Sequence, residues 1–325
     1  MPLFLDPLKH HGHLNSVHIT IACVGSRKLS PRDDIGVGWQ TFAPNLTIHG
    51  FDADADACDA ANQDLAQRQV PWREVHWPVA LTDQVGESTL YVTQHPMCSS
   101  LFPPNEAFLG RFARLPELVN LDFTVEIETT TLDEFCRQEQ IAGIDFLQMD
   151  VQGAELKVLE GARSALPTVL GIQTEVAFSP LYADQPLFAD VDRYLRQRQF
   201  GFFNFEFRGS PGVRRRSPVQ SKSRGGQLLW ADAIYLRELT FSEQATPETL
   251  NRLFKLACIA DALDFTDYAI DLLVSLTLKS DRNYADSILE GLAQVPDLVN
   301  HGLAKLPVVQ HIQEQLSDEA ASRLR

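Results

Sequence analysis

Short apolar runs alternate with amphipathic stretches over most of this chain, and the alternation predicts strands followed by helices. The first run, His18-Ile19-Thr20-Ile21-Ala22-Cys23-Val24, ends at Gly25 and predicts a buried strand. A second strand is expected over 46–51, closing on Asp52, and a helix over 55–68. That helix opens with Asp54 and Asp56, whose charge suits the positive end of the helix dipole. A third strand is expected over 74–81, closing at Thr82-Asp83; 86–93 reads as a hairpin arm and 123–128 as another strand. Thr131-Leu132-Asp133-Glu134 has the form of a capping box and starts a helix. The run Ile144 to Glu155 is the most informative. An apolar strand core meets Asp150, and Gly153 then opens a helix whose Leu156, Val158, Leu159 and Ala162 form a packing face. A strand over 169–176, a helix over 188–199, and strands over 200–207 and 227–236 follow. From Thr246, a cap residue followed by Pro247, the periodicity is helical throughout.

Strands alternating with helices imply a mostly parallel sheet covered on both faces. The last two strands, joined only by a loop, must be antiparallel. A parallel sheet ending in one reversed strand resembles Rossmann-like methyltransferases. The expected fold is therefore α/β: a Rossmann-like methyltransferase sheet, mostly parallel with one antiparallel strand, over residues 1–240, and an all-helical C-terminal extension over 241–325.

Composition narrows the function classes. The net charge of −15 over 325 residues argues against nucleic acid as a partner, because such binders present a basic face to phosphates. The five cysteines are scattered without a CxxC pair, which favours reduced thiols in the cytoplasm over disulfides or a zinc site. No apolar window of about 18 residues exists, so no membrane span is expected. Met1 to Asn15 lacks a signal peptide's apolar core. The sequence shows no close cluster of metal ligands, and none is assumed.

Ligands of open α/β sheets bind beside strand C-termini. A dinucleotide would need a glycine-rich turn for its pyrophosphate, but Val24-Gly25-Ser26-Arg27-Lys28 has one glycine and no GxGxxG, which makes a nicotinamide dehydrogenase the weaker reading. S-adenosyl-L-methionine carries no phosphate. It needs close backbone approach, which Gly25 and Ser26 can offer, and an acid for its ribose hydroxyls, which Asp52 beside Ala53 can supply. Asp83 is placed to accept from the adenine amino group. Each acid has an alternative role as a helix cap or solvated loop residue. Methyl transfer from a sulfonium is an in-line displacement, so orientation supplies much of the rate. An oxygen nucleophile also gains from a general base, for which Asp150 and Glu175 are the first candidates and His76 and His95 the next. Asp150 can equally contact the cofactor, and Glu175 can equally be a paired structural acid.

The loop over 208–226 holds Arg208, Arg214, Arg215, Arg216, Lys222 and Arg224 with no acid among them. Arg214, Arg215 and Arg216 are the candidate substrate-binding residues, suited to an anionic acceptor such as a phosphorylated or carboxylated sugar.

Thr131-Leu132-Asp133-Glu134-Phe135 followed by IDFLQMDVQGAELKVLEG at 144–161 resembles the FkbM-type S-adenosylmethionine-dependent methyltransferases, whose hallmark is a "DFLKIDVEGAE…VLKGA"-like run after a "TLDEF"-like helix. Gly50-Phe51-Asp52-Ala53-Asp54, Ser99-Ser100-Leu101-Phe102, Glu175 to Tyr182 and Trp230-Ala231-Asp232-Ala233 resemble further blocks of the family. The resemblance spans about residues 18–238. It implies O-methylation of a hydroxyl on a sugar or related natural product, with Gly25 and Asp52 holding the cofactor, Asp83 near adenine and Asp150 at the active edge. One departure stands out. The family's first turn reads like "DVGANxG", whereas Cys23 takes the place of its acid and Ser26-Arg27-Lys28 the place of its small residues. The alternative function is a non-catalytic assembly or binding module on the same fold, and the C-terminal helices are a candidate surface for homo-oligomer formation.

Overall fold

The computed structural model describes residues 2–28, 34–206, 212–216, 219, 221–239, 246–312 and 314. Phe207 and Arg208, the end of one expected strand and the first cation of the basic loop, lie outside these residues. The strands are β1 (Ile19–Val24), β2 (Leu46–Asp52), β3 (Arg73–Pro78), β4 (Ala80–Leu81), β5 (Gly86–Thr93), β6 (Leu121–Thr130), β7 (Phe146–Met149), β8 (Gly171–Ala177), β9 (Phe200–Glu206), β10 (Gly212–Arg214) and β11 (Gln227–Arg237).

The chain forms two compact units, the larger of residues 20–36 and 47–237. Its main sheet runs β10-β11-β8-β7-β1-β2-β3, with β9 also paired to β11. The pairs β1–β7, β7–β8 and β2–β3 are parallel, while β11 runs antiparallel to β8, β9 and β10. This is the expected α/β sheet with one reversed strand. The strands β1 and β7 are buried along most of their length, as both faces of a parallel sheet must be. Helices Leu132–Gln138 and Glu155–Glu160 pack Leu132, Phe135, Val158 and Leu159 into the same core as Leu147 and Met149 of β7. Of the capping box expected at Thr131, the N-cap half forms, the hydroxyl accepting from the Glu134 amide at 3.0 Å, while the Glu134 carboxylate turns to Arg137 and Gln138.

One expected strand divides. The ladder of β3 ends at Pro78, paired with Asp52, because proline has no N–H to continue it. The chain then turns at Val79 and joins a second sheet as β4. This sheet has the order β4-β6-β5, with β5 and β6 antiparallel.

The smaller unit holds residues 1–19, 37–46 and 238–325. Its helices include Leu5–His10, Pro247–Ala262, Thr266–Lys279 and Ala285–Leu292. The fully buried Asp261 carboxylate accepts from the amides of Leu3, Phe4 and Leu5 at 2.8–2.9 Å and so ties the N-terminal segment to the helix that carries it. Nothing in the local pattern signals this pairing, which joins residues more than 250 positions apart. No helix among the described residues is long and apolar enough to cross a membrane.

Candidate active site

The C-terminal tips of β1, β2 and β7 open onto a cavity of about 500 Å³. Its polar side is built from Gly25 and Arg27 after β1, Asp52, Ala53 and Asp54 at the end of β2, and Asp150 and Gln152 after β7. Leu90 and Val92 of β5 and Phe123, Val125 and Ile127 of β6 form an apolar wall. Gly25 has φ +80°, and a Cβ there would stand 1.9 Å from the carbonyl oxygen of Asp150. Only glycine allows this left-handed turn and this approach of two strand tips.

The Asp52 carboxylate accepts from the amides of Arg27 at 3.1 Å and Asp54 at 2.9 Å. Burial raises its carboxyl above the ordinary value, partly opposed by those two hydrogen bonds and the Arg27 charge. The Arg27 guanidinium reaches Asp54 at 2.9 Å, so the turns after β1 and β2 are bound together.

At the β7 side, four carboxyl groups gather. Gln152 donates from one amide nitrogen to Asp150 at 2.6 Å and to Glu175 at 3.0 Å, and its amide oxygen accepts from the Tyr182 hydroxyl at 2.9 Å. Asp232 lies directly opposite Glu175 in the β8–β11 ladder. Glu155 accepts from the amides of Val151 at 2.9 Å and Gly153 at 3.0 Å. Ligand oxygens of Asp150, Glu155 and Glu175 lie within 4.8 Å of one another, a clustering that the sequence spacing did not show. Burial raises the Asp150 carboxyl, with the Gln152 hydrogen bond opposing it. Burial, then the charges of Asp150, Glu155 and Asp232, lift Glu175 well above the carboxylate range. Burial pushes Glu155 up to about 7 and Asp232 to about 6, with Asp150 adding to both. Such an arrangement holds protons at neutral pH and places an ionisable oxygen, that of Asp150, on the cavity surface.

The structure brings Gly25, Asp52, Ala53 and Asp150 to the cavity together, and it places Glu175 behind Gln152, off the lining. Two expected contacts lie elsewhere. The Ser26 side chain is buried and meets His76 Nδ1 at 2.8 Å, because Gly50 leaves room for it on the far side of the turn. Asp83 follows β4, not β3, and is not part of the lining. Its carboxyl would be raised by burial, but the Thr82 hydroxyl and Lys157 hold it below the usual value. Of the candidate histidines, His76 is enclosed between Ser26 and Glu74, and His95 is absent from the lining although Pro96 and Met97 belong to it. Arg214, Arg215 and Arg216 surround a second hollow of about 380 Å³ with Arg224 and Gln227. Arg214 stacks on Trp230 with its guanidinium 4.5 Å from the ring centre, Arg216 lies 4.9 Å over Phe112, and Arg216 donates to Gln227. Sequence reading missed Gln152, Glu155, Tyr182 and Asp232. The usable signal was an acid, Glu175 or Asp232, in the interior of each of two predicted strands, since buried charges need partners.

Residues 47–202 match the family model for the methyltransferase FkbM domain. The chain is 39% identical over 75 residues to the 2-O-methyltransferase NoeI of Sinorhizobium fredii (strain NBRC 101917 / NGR234), a match over 23% of this chain and 31% of that protein's length. Among solved structures it is similar to methyltransferase FkbM from Methylobacillus flagellatus KT, at TM-score 0.37 and 13% identity over 67% of this chain and 43% of that one. It is also similar to M. capricolum TrmK in complex with S-adenosyl-homocysteine, at TM-score 0.35 and 8% identity over 95% and 93%. Residues 47–202, the stretch that matches the methyltransferase FkbM domain model, lie in the unit that builds the cavity.

Proposed function

We propose that this protein transfers a methyl group from S-adenosyl-L-methionine to a hydroxyl of a sugar or related natural product. The observation that carries the reading is the convergence of Gly25, Asp52 and Asp150 on one cavity at the strand tips. The stretch shared with a 2-O-methyltransferase supports oxygen as the atom methylated.

The residues present suit such a donor. The cavity's volume of about 500 Å³ falls inside the range of roughly 300–1,000 Å³ usual for small-molecule sites. The two oxygens of Asp52 each accept one backbone amide and keep further lone pairs for ribose hydroxyls. Gly25 and Ala53 present backbone with little side chain. The bound donor supplies an electrophilic methyl group on a sulfonium.

Asp150 takes the proton of the acceptor hydroxyl. It is the member of the acid cluster that lines the cavity, and the Gln152 amide favours its charged form. Glu175 keeps its proton, because two charges bridged by one amide in a buried site repel strongly. Arg214, Arg215 and Arg216 bind an anionic group of the acceptor.

Calorimetry with S-adenosylhomocysteine tests the reading. Micromolar binding is expected, weakened about tenfold or more in Asp52→Ala by loss of charge-assisted hydrogen bonds; no binding to the wild type removes the proposal. Asp150→Asn is expected to keep that binding while abolishing methyl transfer.

A further inference from the structure

The cavity's electrostatics single out one residue. Among the described residues its lining holds three carboxylates, Asp52, Asp54 and Asp150, and a single cationic side chain, Arg27. The neighbouring cation is committed elsewhere, since Lys28 pairs with Glu74 at 2.6 Å and Asp34 at 3.3 Å. Arg27 is anchored at its base, where its amide donates to the Asp52 carboxylate at 3.1 Å. Its guanidinium is steered by one oxygen of Asp54, at 2.9 Å, while the other oxygen of Asp54 caps the next helix by accepting from Ala57. That contact uses one guanidinium nitrogen, and the side chain keeps 26% of its surface exposed. A guanidinium carries five N–H donors in a planar fork that matches a carboxylate. The donor proposed above has two positive groups, sulfonium and ammonium, and one negative group, its α-carboxylate. The lining offers the complementary set.

We propose that Arg27 binds the α-carboxylate of the donor, so that this chain recognises the amino-acid end of its cofactor through a cation on the first turn. The proposal rests on the donor reading of the cavity. It gives a role to a residue that departs from the small residues of the resembling family, at a turn where Cys23 is buried and holds no charge for the donor's ammonium.

Two ligands separate the donor's halves. S-adenosylhomocysteine carries the carboxylate, and 5′-methylthioadenosine shares the nucleoside but lacks the amino-acid end. Titration calorimetry of wild type, Arg27→Gln and Arg27→Lys with each ligand is the experiment. Arg27→Gln is expected to weaken S-adenosylhomocysteine about tenfold to a hundredfold, the usual worth of a charge-assisted hydrogen bond, with Arg27→Lys between it and the wild type. Methylthioadenosine affinity is expected to stay within about twofold in all three proteins, which also certifies an intact pocket. Equal weakening of both ligands assigns Arg27 to the shape of the turn and overturns the proposal, as does no change in either. Failure of the wild type to bind either ligand removes the donor reading itself.

Discussion

Two carboxylate-bearing regions of the same sheet are handled in opposite ways. At one edge, Glu74 of β3 has no exposed side-chain surface, yet Lys28 at 2.6 Å, His76 at 3.0 Å and the Trp72 indole at 2.7 Å all address it. Burial would raise its carboxyl, but these hydrogen bonds and the Lys28 charge outweigh burial and bring it down to about 2. Toward the other edge, Asp150, Glu155, Glu175 and Asp232 gather, the first three accepting from amides, and each carboxyl is raised. The first region is a compensated charge that stabilises the fold. The second is an uncompensated one, and its carboxyls are raised toward neutrality, the condition of groups that can give up and regain a proton there. The same residue type thus marks structure or function according to whether a cation faces it.

The strongest way to break the comparison is to remove one member of each group. Glu74→Gln leaves the Lys28 ammonium beside a neutral amide, and the loss expected on removing one partner of a buried pair is about 3–5 kcal/mol. Glu175→Gln at pH 8 exchanges a carboxyl that burial and its acidic neighbours keep protonated for a neutral amide, and is expected to cost less than about 1 kcal/mol, or to stabilise. Urea unfolding of the two variants checks both. A smaller loss for Glu74→Gln than for Glu175→Gln would reverse the assignment.

The two regions also respond to pH in opposite windows. Folded Glu155 holds its proton up to about 7, whereas the unfolded chain releases it near the ordinary value of 4.5. Between those values the folded state binds more protons, so stability falls as pH rises, by at most about 3 kcal/mol for this group. Glu74, lowered from 4.5 to about 2, contributes stability above pH 4.5 that is lost as pH falls toward 2. Unfolding curves from pH 3 to 8 are expected to peak near pH 4.5–5, and Glu155→Gln is expected to flatten the neutral side alone. An unchanged neutral slope in that variant would refute the account.

Arg214, Arg215, Arg216 and Arg224 line the second hollow. Replacing Arg214, Arg215 and Arg216 together by Ala is expected to raise the Michaelis constant for an anionic acceptor about tenfold, from loss of charge-assisted bonds, with kcat held within about threefold. Steady-state kinetics with a sugar phosphate and its neutral parent sugar distinguish charge recognition from a general defect. An equal effect on both acceptors would remove these arginines from substrate binding.

Legibility followed the range of the interaction. The strand tips Gly25, Asp52 and Asp150 could be found because each ends a local apolar run, and position after a strand is a sequence property. The cluster partners could not, because Glu175 meets Asp232 only through the β8–β11 register and Tyr182 meets Gln152 across 30 positions. Asp83 was misplaced by a single proline, since the ladder that stops at Pro78 sends the following residues into another sheet. The direction of the Ser26 side chain was not legible, because it depends on the space behind the turn, which Gly50 leaves open.

The smallest effect expected is none at all, on removing divalent metal. Three acids whose oxygens lie within 4.8 Å resemble a cation site. The hydrogen bonds argue for proton sharing instead. Both amide hydrogens of Gln152 are directed at Asp150 and Glu175, on the lone pairs a cation would need, and an amide N–H₂ beside a divalent ion would meet it with the wrong end of its dipole. The Glu155 oxygens accept from the amides of Val151 and Gly153, which serve the carboxylate without a counterion. Protons held by Glu175, and in part by Glu155, lower the charge that a metal would otherwise neutralise. Dialysis against EDTA is therefore expected to leave S-adenosylhomocysteine affinity and methyl transfer within about twofold of the untreated protein. Loss of transfer restored by magnesium or calcium would show that Gln152 moves aside for an ion, and would turn the uncompensated region into a compensated one.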